Sequence, residues 1–143
     1  VGLLGSATLG AAEPSSSALT LSCEVVQTVT GTHGSVRKVN RTEIIKLGPG
    51  VYRVWSPGVG WGENHCAFTP CPFTGTSFSY RIDSSTSRGG YVLRHFEVVA
   101  FERASGLLDA EEENSTTAEV TGIEKETTIY EHGHCKAAAD PAA

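Results

Sequence analysis

The sequence predicts an all-β domain, an antiparallel meander of about eight short strands that forms a sandwich or a small up-and-down barrel. Three observations carry this expectation. From residue 19 onward apolar and polar residues alternate, which is the period of a half-buried strand. No window keeps apolar residues at helical spacing over three turns. Clusters of Gly, Pro, Asp and Ser punctuate the alternating runs and supply the turns a meander needs.

In chain order, Leu19, Leu21, Cys23 and Val25 open the first run, and Thr30-Gly31-Thr32-His33-Gly34 turns it. Residues 36–47 make the second, with Thr42 and Ile44 on one face and Ile45 and Leu47 on the other. Leu47-Gly48-Pro49-Gly50 is a tight connection, because proline presets φ and glycine admits a positive one. Residues 51–55 then return as a hairpin partner. Seven Gly and Pro residues break the pattern across 56–76, a span too long for a simple connection unless something holds it. Strand pattern resumes at 78–82, and 83–90 reads as a polar turn. Residues 91–103 form a long strand whose alternation falters around 94–97, where a bend or bulge is expected. Phe101 to Leu108 reads as a hairpin with Gly106 in the left-handed position. The cluster Glu111-Glu112-Glu113 reads as a solvated loop tip, and residues 118–123 and 125–135 as the last strands.

Four cysteines allow three connectivities, of which the nested one, Cys23–Cys135 with Cys66–Cys71, is preferred. Cys23 and Cys135 bracket the domain. Cys66 and Cys71 bracket a short loop whose Pro70 favours the turn that would bring their sulfurs together. Disulfides imply an oxidising compartment, so the expected location is periplasmic or extracellular. Residues 1–18 are expected to be a signal-peptide remnant or an extended N-terminal arm, 19–136 the disulfide-fastened β domain, and 137–143 a flexible tail.

An early strand carrying Cys23, a strand ending in Phe101-Glu102-Arg103-Ala104-Ser105-Gly106 and a terminal Gly133-His134-Cys135 resemble the layout of small exported β-domain proteins of proteobacteria, mostly uncharacterised. The resemblance spans residues 19–136. It implies a meandering β fold and an exported protein, and it implies no activity and no functional residue.

Sixteen acidic against eleven basic side chains give a formal charge of −5, and no basic run exceeds Arg37-Lys38. Nucleic acid is therefore not an expected partner, since neutralising phosphates needs a basic footprint. No stretch approaches the length of a transmembrane helix. No serine sits in a nucleophile-elbow motif, and no cofactor motif occurs, so neither catalysis nor a cofactor is expected. His95, mid-strand, is expected to line a barrel interior beside Glu97 or Arg53 as a hydrogen-bonded core histidine.

Two local features suggest a site. Trp55, Trp61, Phe68 and Phe73 concentrate around the disulfide-bracketed loop, where rigid aromatic area gives contact at low entropy cost, and these four are the candidate ligand-binding residues. Trp55 and the neighbouring Tyr80 sit on strands and are also expected to pack on the core. Separately, His132 and His134, two apart on a strand, would point to one side and could hold a metal with His65 or Glu131 completing the set. Standard paired-cysteine zinc spacing is missing, and oxidised cysteines cannot serve as thiolate ligands.

The expected function is an exported, non-enzymatic binding or interaction module that takes a small ligand or a protein partner on the aromatic loop. One alternative is a self-assembling, pilin-like subunit that donates residues 1–14, where Val1, Leu3, Gly5, Ala7, Leu9 and Ala11 alternate. The other is a small metal-binding protein or enzyme built on His132 and His134.

Overall fold

In the computed structural model, which describes residues 17–142, alternation becomes eight strands: β1 (Leu19–Thr30), β2 (Val36–Gly48), β3 (Val51–Ser56), β4 (Gly60–Trp61), β5 (Ser77–Arg88), β6 (Tyr91–Glu102), β7 (Leu107–Ala118) and β8 (Glu124–Ala137). They pair antiparallel in one sheet ordered β4-β3-β2-β1-β8-β7-β6-β5. The all-β meander is thus present, as a barrel-like sheet and not as a two-sheet sandwich. Two runs of hairpins are joined by the pairing of the first strand with the last, where Cys23 faces Cys135 and Gln27 faces Glu131.

The sheet curls until its two sides touch. Tyr52 of β3 stacks on Phe78 of β5 with ring centroids 5.8 Å apart and lies 5.3 Å from the Tyr80 ring, although β3 and β5 are far apart in strand order. The segment between β4 and β5 spans the gap. The His65 amide donates to the Tyr52 carbonyl at 2.9 Å on one side, and the Ser79 amide donates to the Pro72 carbonyl at 3.2 Å on the other. This closure covers one end only. β3 pairs with Ile44–Gly48 of β2, so the remainder of β2 and the far half of β5 keep open edges. The result is a half-barrel.

Its core follows from the inward register. Leu21, Cys23 and Val25 of β1, Ile45 and Leu47 of β2, Phe78 and Tyr80 of β5, Val99 and Phe101 of β6 and Leu108 of β7 are all buried at the closed end. Each fully buried side chain of this size contributes roughly 1.5–3 kcal/mol. Both expected disulfides form. Cys23–Cys135 staples β1 to β8, and Cys66–Cys71 ties the gap-spanning segment to itself against the core.

Gly133 marks the tightest crossing. A Cβ there would strike the Glu24 carbonyl oxygen and come within 2.7 Å of Val25 Cα, so only glycine fits between β8 and β1. Gly106 has φ +74°, as the hairpin after β6 requires.

Several local expectations change. Residues 83–88 are strand, not turn: β5 runs to Arg88 and the reversal is confined to Gly89 and Gly90, both at positive φ. The stretch looked like a loop because Ser and Thr occupy both of its faces, leaving no apolar period. The Glu111-Glu112-Glu113 cluster is likewise no loop tip, since it pairs on both sides with β6 and β8. Conversely, residues 119–123 form the β7–β8 turn, with Gly122 at φ +72° and Val120 95% exposed. Their Val and Ile mimicked a strand that Thr121-Gly122 reverses. No bulge interrupts residues 94–97, whose pairing with β5 and β7 is continuous.

After β8 the chain lies against the convex face, where Asp140 meets Lys46 Nζ at 2.8 Å and accepts from Trp61 Nε1 at 3.2 Å. Residues 1–16 fall outside the described residues, and with them the alternating positions considered for self-association and most of the leader or arm. Among the described residues no helix is long and apolar enough to cross a membrane.

Two predictions follow from the β1–β8 seam. The outer bridge, with a sequence separation of 112, constrains the unfolded chain far more than the inner one, with a separation of 5. Replacing Cys23 and Cys135 by Ala should cost about 4–5 kcal/mol in denaturant unfolding, and replacing Cys66 and Cys71 about 2 kcal/mol. Gly133→Ala should cost about 2 kcal/mol or more with both bridges intact, and a variant as stable as the parent would mean that β8 is not pressed onto β1.

Candidate functional site

Beyond the apolar core, the same inward register turns polar. On β1 the series Leu21, Cys23, Val25 continues to Gln27; on β2, Leu47 and Ile45 give way to Glu43; on β8, Cys135 and Gly133 lead to Glu131; on β6, Phe101 and Val99 lead to Glu97 and His95. Glu112 of β7 stands directly opposite Glu97. Gln27, Glu43, Glu97, Glu112 and Glu131, with Tyr52 and Val54 of β3 and His65 of the gap-spanning segment, surround a cleft of about 200 Å³ inside the half-barrel. A second lobe of about 360 Å³ shares His65, Glu97 and Glu112 and opens past Phe68.

Two connected clusters line it. In the first, Gln27 Nε2 donates to Glu131 Oε2 at 2.9 Å, and Glu131 neighbours Glu43, whose other charged neighbour is Arg41 Nε at 3.9 Å. Burial pushes the Glu43 carboxyl up to about 8, assisted by a hydrogen bond to Glu131 and by that residue's negative charge, while Arg41 opposes. Glu43 therefore keeps its proton at neutral pH, bonded to Glu131. In the second cluster, Tyr80 donates its hydroxyl proton to Glu97 Oε2. His65 Nδ1 lies 3.7 Å and His95 Nε2 3.4 Å from Glu97 Oε1, and His95 Nδ1 bonds Asn114 Oδ1 at 2.7 Å.

Burial works to raise the Glu97 carboxyl, but its bonds with His65 and Tyr80, together with the His65 charge, outweigh this and leave it below the ordinary value. Glu97 in turn holds His65 above its usual range against burial, whereas His95 is raised chiefly by Asn114. The Tyr80 phenol is raised by burial and then by its bond to Glu97. Tyr52 is raised by burial and by the charges of Glu43, Glu131 and Glu97.

The four sequence-selected aromatics are not brought together. Trp55 and Trp61 face each other across β3 and β4 on the convex face, where Lys46 Nζ sits 4.6 Å above the Trp61 ring. Phe73 packs on Phe78 in the closing contact, and Phe68, fully exposed, stands at the cleft rim. Tyr80 is buried in the core. His95 lines the concave face beside Glu97, while Arg53 faces outward and donates to the Gly62 carbonyl.

His132 and His134 share one side of β8, but it is the convex side, with His132 paired to Asp109. His65 and Glu131 point into the cleft on the other side of the sheet, so neither completes a set with them. Among the described residues no three His, Cys, Asp or Glu side chains are placed to hold a metal ion.

Sequence reasoning missed Gln27, Glu43, Tyr52 and Glu112. A usable signal was present for Glu43, which occupies the same parity as Ile45 and Leu47, so a carboxylate stood in the inward register of an otherwise apolar strand.

Glu43 supplies a pH test. Its folded value lies above the ordinary 4.5, so its favourable contribution is complete below about pH 4.5 and is lost as pH rises through about 8. Glu43→Gln should match the parent near pH 5 and be about 1–3 kcal/mol more stable near pH 9. Thermal melts across that range check this, and parallel pH profiles would show that Glu43 ionises freely.

Comparison with protein-family models, with curated proteins and with solved structures finds no match to this chain.

Proposed function

We propose that this chain is an exported binding module, without catalysis of its own, that takes a small ligand in the concave cleft under the disulfide-held segment. The observation that carries the reading is the composition of the inward register. Burying polar and ionisable groups costs free energy unless they are paired, and a fold selected for stability alone would continue its apolar series. Here four strands switch to Gln, Glu and His within the same parity, around an open cavity walled by Val54, Val99, Ala110 and Ile129. A cleft with apolar walls and a few convergent polar groups is the common form of a small-molecule site.

The gap-spanning segment supplies the rim. Cys66–Cys71 holds it, and it presents His65 and Phe68 to the opening. Part of the aromatic-loop reading is kept in this way, with Phe68 as the contact residue and the two tryptophans on the outer surface. Export follows as part of the proposal, because two disulfides persist only in an oxidising compartment such as the periplasm or the extracellular space.

A fragment mixture followed by ¹⁵N-labelled amide spectra tests the reading. Shifts should gather at Gln27, Tyr52, His65, Glu97 and Glu131, and Phe68→Ala should weaken the best fragment by about threefold to tenfold. Shifts confined to Trp61, His132 or other convex positions would overturn it.

A further inference from the structure

The Tyr52 side chain is only 5% exposed, and its hydroxyl, which has no side-chain or backbone partner among the described residues, is not sealed in the core but open to the cleft. It lines the cleft together with Glu43, Glu131 and Glu97. A phenol hydroxyl at the end of an otherwise buried ring, open only toward a cavity, is placed to bond the group that replaces water there. Here that group must also satisfy the carboxyls around it.

We propose that the cleft binds a small organic ammonium ion, its N–H groups donating to Glu43, Glu131 and the Tyr52 hydroxyl and its short apolar body lying on Val54, Val99 and Ile129. This rests on the cleft being the ligand site, and it adds the class of ligand. An ammonium group carries three donors and one positive charge, which matches two carboxyls and a phenol oxygen on the wall of one small cleft. An anion would meet Glu43, Glu97, Glu112 and Glu131 together, and a neutral alcohol brings one donor to a cleft lined by several acceptors. The volume of about 200 Å³ suits an amine of few carbons.

Binding must also displace a proton. Glu43 is faced by Glu131 from β8, Tyr52 from β3, Glu97 from β6, Glu112 from β7 and His65 from the gap-spanning segment, with Arg41 on its own strand. Arriving positive charge takes over the role of the Glu43 proton, which leaves for solvent. Affinity therefore rises with pH up to about 8, where Glu43 ionises without help.

Calorimetry with butylammonium, butan-1-ol, butyrate and butyltrimethylammonium on the full chain tests this, with amide spectra locating each probe. Butylammonium should bind at least about tenfold more tightly than the alcohol or the N–H-free quaternary ion, and butyrate should not bind. Heats in buffers of different ionisation enthalpy should report proton release near pH 7, and affinity should gain about fiftyfold between pH 6 and pH 8. Tyr52→Phe should weaken butylammonium about threefold to tenfold and Glu131→Gln about tenfold or more, while His132→Ala on the convex face leaves it unchanged.

Equal binding of the alcohol in the cleft, or binding without proton release, would overturn the ammonium assignment and leave the cleft as the site. Tighter binding of calcium alone at the same amides would replace the organic cation with an inorganic one. If no probe moves the cleft amides while fragments bind elsewhere, the cleft reading falls as well.

Discussion

Every other feature of the fold hangs on the pairing of β1 with β8. Each half of the chain is a run of hairpins that local contacts can build, but neither encloses anything alone. Joining them brings residues more than a hundred positions apart into register, a closure whose entropy cost grows with loop length and must be met by contacts at the seam. Three layers of that seam share the work. Cys23 and Cys135 lock it covalently, Gly133 lets the backbones approach, and Gln27 with Glu131 carries the same register into the cleft. The bridge that stabilises the fold thus also sets the position of a carboxyl in the candidate site, two steps along the strand for every pleat.

The cleft shows how one sheet face can hold two environments. At the closed end the inward residues are apolar because the gap-spanning segment and the Tyr52–Phe78–Tyr80 contact exclude water. Toward the open end exclusion is incomplete, so ionisable groups survive in pairs. Glu97 is kept charged by donors, whereas Glu43 is kept neutral by burial and then by its bond to Glu131. Two carboxyls that line the same concavity from β2 and β6 therefore differ in protonation at neutral pH. Their partners, and not their own chemistry, decide this.

Much of the architecture was legible because alternation and turn chemistry agree. Leu21-x-Cys23-x-Val25, the Pro49-Gly50 turn and Gly106 each specify strand or reversal locally, and the nested cysteines indicated which strands meet. Where the apolar period vanished, reading failed in both directions. The serine- and threonine-rich end of β5 is a strand because β6 supplies its pairing partners, and Val120 with Ile123 is a turn despite β-favouring side chains. The site was less legible still. Glu43, Glu97, Glu112 and Glu131 lie on four different strands, and only the curl of the sheet gathers them. Aromatic density around residues 55–80 marked the closing contact and the rim but could not say which ring faces which side, since Trp55 and Val54 differ by one position and by a whole face of the sheet.

The unequal lengths of β2 and β3 have a colloidal consequence. Where β3 stops short, the outer part of β2 presents unpaired backbone donors and acceptors, and the far half of β5 does the same across the opening. Such rims template pairing between molecules unless something repels the approach. Along β2 the sequence places Arg37, Lys38 and Arg41, and along β5 Asp83 and Arg88, all exposed. The basic β2 edges of two copies repel over a distance of about 10 Å at moderate ionic strength and over less as salt rises. The lateral gap that leaves the cleft accessible is thus also the margin along which these molecules must be kept apart, and its guard is an ionic one.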